Sequence, residues 1–422
     1  MTNVFQRRSQ KAFKKKKEYK STALGLLFIF QVLALFLVLI FDIKNITKIE
    51  VFTCFGIILL TFLSIKIVGK ITKGNDIFLI IVSMLYSIGI VMIYRLDPFS
   101  GRRQLIFFIV GVIFFFITYF LLKIFNNWQN YTMFYFIVSI MLFFATLVFG
   151  YSQGGAKNWI SLGNFSLQPS EFIKIPFVFF IASFYSNYEK YSKKPFGRFF
   201  MTTAIYLFIG LFFLQRELGT AIIFFGVMIL SQFVYDKDRK LIFFNIILMV
   251  FGMIAAYFLF SHVRVRVTTW LDPWSVINDQ GYQITQSLFA MASGGLFGTG
   301  IGAGRPDFIP VAVSDFIFSA IVEEMGIFMG IGLIFLFLIL VYQAIKISLM
   351  QQNRFYSILS FCTGTLFGIQ AFVIFAGVMK IIPLTGVTIP FVSYGGSSML
   401  SGFILLAVLQ RTSEKIKGEE DE

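Results

Sequence analysis

Long uncharged runs of apolar residues recur along this chain and limit its fold more than any other feature. Each run approaches the ~20 residues that cross a bilayer as a helix. An open sheet would leave unpaired backbone groups in lipid, so helices are the only spanning structure these runs allow. The sequence therefore predicts an all-α polytopic integral membrane protein. Twelve runs stand between charged or Gly/Pro-rich breaks, at about 21–41, 50–68, 77–94, 104–124, 132–150, 171–187, 198–215, 218–235, 240–261, 315–346, 355–379 and 391–411.

The composition excludes a soluble domain and several kinds of catalytic site. Of the 422 residues, 57% are hydrophobic and 14% are charged, against about 25% charged in soluble domains. The two cysteines, Cys54 and Cys362, lie far apart in apolar runs, and His262 is the single histidine. These residues cannot build a zinc site, a disulfide framework or a Cys/His dyad. Any proton transfer must therefore use Asp, Glu, Lys, Arg or Tyr side chains.

The basic residues predict how the chain is oriented in the membrane. Twelve spans place both termini on one side, and 24 of the 36 Lys and Arg residues fall on that side. By the positive-inside rule, both termini are cytoplasmic. The net charge of +15 thus reports topology and contact with anionic membrane lipids rather than nucleic acid. We predict a basic cytoplasmic arm at residues 1–20 and a solvated acidic cytoplasmic tail at residues 412–422.

Two predicted extracellular loops are long, at 151–170 and 262–314. Long polar loops on one face of a membrane protein often carry its function. Within the larger loop, apolar residues recur at helical spacing from Ile284 to Met291, before Gly294. This pattern predicts a short helix, which either lies on the membrane surface or simply braces the loop.

Charged side chains near the outer ends of the spans are the best local indicators of function, because an ionised group inside a bilayer costs about 2.5–3.5 kcal/mol. Glu171 and Lys174 are three residues apart and can pair on one helix face. Glu217 interrupts an apolar stretch between two spans. A purely structural ion pair is the alternative for all three, and it is the preferred interpretation for Glu323 and Glu324.

Asp315 opens the long span that follows the larger loop. We predict that Ser314 caps this helix and that Asp315 lies in its first turn, where the helix dipole favours the carboxylate form. A carboxylate at the outer membrane surface can accept a proton from the hydroxyl group of an amphiphile. From position alone, an acid that merely caps the helix is the preferred interpretation.

Glycine-rich segments near these charges permit turns and close packing. Residues 298–304 lack the strand–turn–helix context of a nucleotide site. Their amides, beside Arg264, Arg266 and Arg305, could hold an anionic head group. Residues 393–398, which are rich in Gly and Ser, are expected to let helices approach each other closely.

Five separate strings of the chain carry a further signal when they are read together. They are GAKNWISLGNFSLQPSEFIKI (155–175), QRELGTA (215–221), WLDPW through GYQITQSLFAMASGGLFGTGIG (270–302), SDFIFSAIVEEMG (314–326) and PLTGVTIPFVSYGGSS (383–398). In this order they closely resemble the FtsW/RodA/SpoVE family of peptidoglycan polymerases. The resemblance covers about residues 75–411 and implies the family's ten-helix core. Residues 21–74 then form two extra N-terminal transmembrane helices, about which the resemblance says nothing.

The resemblance implies a peptidoglycan glycosyltransferase of the plasma membrane. Proteins of this family join lipid II disaccharide units into glycan strands at the outer face, in division, elongation or sporulation. The reaction is an inverting glycosyl transfer in which undecaprenyl pyrophosphate leaves. The implied partners are lipid II, the growing glycan strand and a class B penicillin-binding protein, which is a transpeptidase. No cofactor or metal site is expected, although a divalent cation could assist the departing pyrophosphate.

The matching strings also imply roles for individual residues. The family's essential aspartate falls on Asp315, which becomes the general base, and Glu171 and Lys174 take supporting roles. Glu217 stands where the family usually has aspartate, so its supporting role is open. Four further residues are our own candidates for substrate contact, the first two of them for the pyrophosphate: Arg264, Arg266, Ser397 and Ser398.

Two functions of other classes are compatible with the same residues. A transporter of lipid-linked sugars could use the same polar interior, although no inverted repeat is evident between the two halves. A non-catalytic scaffold that recruits a transpeptidase would not need Asp315. Loss of glycan polymerisation on removal of this carboxylate would separate the glycosyltransferase from both alternatives.

Overall fold

The computed structural model describes residues 2–41, 47–153, 156–163, 165–193, 196–236 and 238–414. The acidic tail beyond residue 414 and the side chains of the basic arm lie outside this description. Fifteen α-helices occupy the described ranges: α1 (Thr2–Phe41), α2 (Lys48–Ile71), α3 (Asp76–Leu96), α4 (Pro98–Ile124), α5 (Thr132–Phe149), α6 (Pro169–Ser186), α7 (Tyr188–Ser192), α8 (Phe200–Gln215), α9 (Leu218–Tyr235), α10 (Arg239–Leu259), α11 (Ser261–Leu271), α12 (Tyr282–Gly294), α13 (Ile317–Met350), α14 (Arg354–Val378) and α15 (Gly396–Thr412).

The helices confirm the predicted all-α polytopic membrane fold. Within the described residues, nine helices are long and apolar enough to cross a membrane: α1 from Ser21, α2, α3, α4, α5, α9, α10, α13 and α14. The other three predicted spans are helical as α6, α8 and α15. Of these, α6 carries Glu171 and Lys174, and α8 has 16 residues. The count of twelve membrane spans therefore stays a prediction.

The centre of the bundle consists of helices enclosed by other helices. In α3 and α14, 83% of the residues in the most apolar membrane-spanning stretch are buried, against 17% in the peripheral α10. Close approach at α15 depends on Gly396, because a Cβ there would lie 2.8 Å from the Phe107 ring of α4. This contact confirms that the 393–398 segment permits close helix packing.

The two N-terminal helices are tied to the bundle by a buried amide. Gln31 of α1 donates to the Thr61 hydroxyl of α2 at 3.4 Å and to the Ser87 hydroxyl of α3 at 2.7 Å. All three side chains are fully buried. Because a buried amide without partners is costly, these bonds favour one register of α1 against α2 and α3.

The predicted loop at 151–170 contains a small antiparallel sheet that the sequence analysis missed. Strand β1 (Tyr151–Gln153) pairs with β2 (Ala156–Leu162), which pairs with β3 (Phe165–Leu167). Two of the strands have only three residues, so no alternation of apolar and polar residues marks them in the sequence. The sheet lies directly before α6, which carries the Glu171–Lys174 pair.

The predicted extracellular loop at 262–314 contains two helices. The expected helix is confirmed as α12, which ends where Gly295 adopts a φ of +54°. The Ser287 hydroxyl lies 2.6 Å from the Ser319 hydroxyl of α13, so α12 braces the loop against the bundle. Helix α11 was not predicted, because its charged and β-branched residues show no clear apolar stripe.

Helix α13 is broken at Gly326, whose backbone is non-helical with φ 84° and ψ 168°. The break frees the carbonyls of Glu323 and Glu324 from helical bonding. They accept hydrogen bonds of 2.9 and 3.0 Å from amides of residues 295–305, which we call the glycine loop. Amides after the break donate to carbonyls of the same loop at 3.0 and 3.3 Å. Residues 317–325 therefore form a short half-helix held by the glycine loop.

Candidate functional site

Asp315 lies in a turn before α13 rather than in its first helical turn. The helix begins at Ile317 with Phe316 as its N-cap, so the predicted capping role of Ser314 is wrong. The reason is a turn in which the Ser314 amide donates to the Val311 carbonyl at 3.1 Å, which delays the start of the helix. The Ser314 hydroxyl instead donates to the Asp315 carboxylate at 3.0 Å.

The turn that carries Asp315 is fastened to the segment between α14 and α15, residues 379–395, which we call the 379–395 loop. The Ser393 hydroxyl donates to the Ser314 carbonyl at 2.7 Å. The Tyr394 amide donates to the carbonyl of residue 313 at 2.9 Å. These two bonds fix the backbone immediately before the carboxylate.

A guanidinium group faces Asp315 across a gap that a glycine keeps open. Arg266 of α11 donates to the Thr385 carbonyl at 3.1 Å. A Cβ on Gly386 would lie 3.6 Å from the Asp315 carboxylate and 3.9 Å from the Arg266 guanidinium. Gly386 has a φ of +69°, which glycine adopts without strain. An acid and a cation therefore share one space, as a proton acceptor and a site for a departing anion require.

The unpredicted helix α11 places Arg266 in the site and leaves Arg264 outside it. Trp270, one turn after Arg266, donates to the Lys380 carbonyl at 3.0 Å and makes a second bond to the 379–395 loop. Arg264 donates to the Phe258 carbonyl at the end of α10 at 3.0 Å. Its predicted contact with substrate stays a prediction that these bonds do not favour.

Burial raises the pKa of the Asp315 carboxyl group above its usual value. The hydrogen bond from Ser314 and the positive charge of Arg266 act in the opposite direction and favour the carboxylate. A raised pKa strengthens a carboxylate as a base, because the basicity of the group increases with its pKa.

Glu171 and Lys174 form an ion pair inside the bundle. The Lys174 ammonium lies 2.6 Å from the Glu171 carboxylate, and the two side chains are 1% and 6% exposed. The ammonium also donates to Gln370 of α14 at 3.0 Å, and the Ser401 hydroxyl of α15 donates to Glu171 at 2.9 Å. The pair thus joins α6, α14 and α15, which suits a supporting role.

A chain of hydrogen bonds continues from this pair to the 379–395 loop. Gln370 donates to the Thr388 carbonyl at 2.8 Å, and the Thr388 hydroxyl donates to the Ser398 hydroxyl at 2.9 Å. The Ser397 hydroxyl accepts a hydrogen bond of 2.9 Å from the backbone amide of Gln168. Of the predicted contact residues, Ser398 therefore holds the 379–395 loop, whereas Ser397 binds the residue before α6.

Glu217 binds the small sheet and the start of α6. One carboxylate oxygen accepts hydrogen bonds from Gln168 at 2.8 Å, from Ser170 at 3.1 Å and from Asn158 of β2. The residue is 7% exposed. Its longer side chain thus anchors the connection between α8 and α9 to the sheet and to the start of α6, which suits support rather than proton transfer.

Glu323 and Glu324 bind the glycine loop, and the predicted structural ion pair is confirmed for Glu324. The Glu323 carboxylate accepts a hydrogen bond of 2.8 Å from the Arg305 backbone amide, and the Glu324 carboxylate accepts one of 3.0 Å from the Gly302 amide. Glu324 also pairs with Arg95 of α3 at 3.1 Å. The expectation that these loop amides hold an external anionic head group is therefore wrong for Gly302, because the protein's own Glu324 carboxylate occupies its amide.

The sequence analysis missed the uncharged polar residues that join these clusters. The signal was present in part, since all but one of them lie within the matched strings, and the exception is a glutamine inside an apolar span. They are Asn158, Gln168, Gln370, Thr385 and Thr388. In the described part of the chain, no group of three or more His, Cys, Asp or Glu side chains could hold a metal ion. The expectation of no dedicated metal site stays a prediction.

Comparison with known protein families shows which family has this sequence pattern. The sequence profile of the FtsW/RodA/SpoVE family, described as cell cycle proteins, matches residues 75–418. The chain belongs to the FtsW/RodA/SpoVE family. Helices α1 and α2 precede the matched residues, so membership of this family assigns no role to them.

Curated relatives of this FtsW/RodA/SpoVE member extend over most of its length. Peptidoglycan glycosyltransferase RodA of Mycobacterium tuberculosis is 32% identical over 358 residues, 79% of this chain and 76% of its own. Stage V sporulation protein E of Bacillus subtilis is 30% identical, covering 82% of this chain and 98% of its own. Probable peptidoglycan glycosyltransferase FtsW of Geobacter metallireducens is 34% identical, covering 70% and 80%.

Solved structures confirm the fold of this family member. The rod shape determining protein RodA of Thermus thermophilus aligns with a TM-score of 0.59 at 22% identity, covering 82% of this chain and 99% of its own. A chain from a structure described as a peptidoglycan synthase complex that coordinates polymerization and crosslinking aligns with a TM-score of 0.66 at 21% identity, covering 80% and 98%.

Proposed function

We propose that this protein is a peptidoglycan glycosyltransferase that joins lipid II disaccharide units into glycan strands. Relatives at 30–34% identity carry the names of peptidoglycan glycosyltransferases and of a sporulation protein. The observation that carries the proposal is the gap at Gly386, where an added Cβ would lie 3.6 Å from the Asp315 carboxylate and 3.9 Å from the Arg266 guanidinium.

The two side chains match the charges that this transfer develops. The 4-hydroxyl of one sugar attacks the anomeric carbon of the next, while the bond from that carbon to the pyrophosphate oxygen breaks. Asp315 takes the hydroxyl proton as general base. The bonding electrons leave with undecaprenyl pyrophosphate, whose added negative charge Arg266 stabilises. Attack opposite to the leaving group inverts the configuration at the anomeric carbon.

The proposal includes an orientation and a partner. Asp315 lies at the outer face of the plasma membrane and both termini are cytoplasmic, as the distribution of Lys and Arg indicates. A class B penicillin-binding protein, which is a transpeptidase that crosslinks strands, is the proposed partner. The related peptidoglycan synthase complex is described as coordinating both activities.

The transporter is the second candidate, and the named relatives do not favour it. A carrier must bind lipid-linked sugars, but it needs no base placed beside a cation. Removal of the Asp315 carboxylate therefore separates the two functions.

The test is reconstitution of the purified protein in vesicles with labelled lipid II, with and without a partner transpeptidase. We expect a lysozyme-sensitive polymer from the wild type and none from the isosteric variant Asp315→Asn, with an unchanged unfolding temperature. Absence of polymer from the wild type under all conditions, together with lipid II translocation that survives Asp315→Asn, would establish the transporter instead.

A further inference from the structure

Helix α1 touches the part of the molecule that positions the site, although it precedes the residues matched by the family. Phe41, the last residue of α1, lies on Gly302 of the glycine loop. A Cβ at Gly302 would fall 2.7 Å from Cγ and 2.8 Å from Cδ2 of the Phe41 ring. The ring therefore covers the loop backbone at a position that only glycine can occupy. Gly302 also has a φ of +87°, which excludes other residues without strain.

The glycine loop beneath Phe41 is hydrogen-bonded to the end of the half-helix that begins just after Asp315. The Gly302 amide donates to the Glu324 carboxylate at 3.0 Å. The Thr299 and Gly300 amides donate to the carbonyls at the break in α13 at 2.9 and 3.0 Å. These bonds hold the half-helix at residues 317–325, whose first turn follows directly on Asp315. A contact on Gly302 is thus linked to the general base through Glu324 and the length of the half-helix.

A second path from α1 reaches the Glu324 carboxylate. Gln31 of α1 donates to Ser87 of α3 at 2.7 Å. Two turns further along α3, Arg95 forms its 3.1 Å ion pair with Glu324. Helix α1 therefore contacts both the loop that Glu324 binds and the helix that supplies its counterion.

We propose that α1 is a positioning element for the polymerase site, and that Phe41 acts by pressing the glycine loop onto the half-helix that precedes the break in α13. This inference rests on the proposed glycosyltransferase function. It assigns to the N-terminal extension a role in the placement of Asp315. Phe41 touches no reacting atom, so it is a positioning residue and not a catalytic one.

A matched pair of variants tests the proposal. Phe41→Ala removes the ring from Gly302. Phe36→Ala removes a ring of the same helix with nearly the same exposure, 59% against 57%, as the control. Because a small misplacement of a catalytic group costs up to about 100-fold in rate, we expect Phe41→Ala to lower the kcat of lipid II polymerisation about tenfold with KM nearly unchanged. Phe36→Ala retains the wild-type kcat, and Phe41→Leu restores most of it.

Hydrogen exchange in the same purified proteins provides a measurement independent of activity. The amides of Thr299, Gly300 and Gly302 are hydrogen-bonded in the wild type, and we expect their exchange to accelerate in Phe41→Ala and not in Phe36→Ala. Glu324→Gln weakens the same loop from beneath. The double variant should therefore lose less kcat than the product of the losses caused by Glu324→Gln and Phe41→Ala separately.

The outcomes separate this inference from the proposed function. A wild-type protein that makes no polymer contradicts the function, and the exchange data still test the contact. A wild-type protein that polymerises, with Phe41→Ala indistinguishable from Phe36→Ala in both kcat and amide exchange, overturns the positioning role alone. Multiplicative effects of Phe41→Ala and Glu324→Gln would overturn the path through the glycine loop.

Discussion

At the scale of single residues, the space at Gly386 decides which substitutions the site tolerates. We expect Gly386→Ala to lower the polymerisation rate at least tenfold. Its Cβ would lie in van der Waals contact with the Asp315 carboxylate at 3.6 Å and so would fill the gap without a clash, and a φ of +69° costs an L-residue about 1–2 kcal/mol. Initial rates of lipid II consumption measure the effect. Gly163→Ala is the control, because Gly163 has a similar φ of +65° and a Cβ there meets no atom within 4 Å. Equal rates for both variants would remove the gap from the mechanism.

The ionisation of Asp315 makes a second prediction at this scale. Since burial raises its pKa, the rate should fall as the pH drops through a midpoint above the ordinary aspartate value of about 4. Ser314→Ala removes a hydrogen bond that favours the carboxylate, so the pKa rises further and the midpoint moves to higher pH. The pH–rate profile measures this shift. A profile that matches that of Ser293→Ala, an exposed serine in α12, would contradict it.

At the scale of helices, the buried ion pair of α6 joins three elements. Removal of one partner should destabilise the protein more than removal of both. Lys174→Met leaves the Glu171 carboxylate buried without its counterion, which costs about 3–5 kcal/mol. The double variant Glu171→Gln with Lys174→Met leaves no buried charge and should recover most of this loss. Thermal unfolding in detergent gives both values. If the double variant were less stable than Lys174→Met, the pair would not be the source of the cost.

Helix α11 shows why the elements of the larger loop matter for the site. Its Arg266 and Trp270, one turn apart, bind two carbonyls of the 379–395 loop. That loop also binds the turn before Asp315. The acid and the cation are therefore held by the same backbone segment, although they belong to different helices and turns.

At the scale of the whole molecule, the proposed orientation predicts which surfaces react from outside the cell. Ser275 lies exposed in the larger loop, and Ser192 lies exposed at the end of α7. In intact cells we expect a membrane-impermeant maleimide to label Ser275→Cys, and to label Ser192→Cys only after permeabilisation. The native Cys54 and Cys362 are 4% and 0% exposed and serve as the unreactive background. The reverse labelling pattern would place Asp315 in the cytoplasm and contradict the proposed polymerisation at the outer face.

The membrane class and most helices were predictable from the sequence because their causes are local. A run of apolar residues satisfies its own backbone within one helix and partitions into lipid wherever it stands in the chain. The helix α12 was likewise readable from its apolar spacing. The charged candidates Glu171, Lys174 and Asp315 stood out because ionised groups are rare near spans.

Only the tertiary structure decided which of these groups meet. Asp315, Arg266 and Gly386 come from three distant parts of the chain, and their shared gap depends on how α11, α13 and the 379–395 loop pack. The delayed start of α13, the break at Gly326 and the turning away of Arg264 follow from contacts with other segments. A hydropathy pattern reflects the residues within one segment. A site instead depends on contacts between residues that are distant in the sequence, and the packing of the helices and loops determines those contacts.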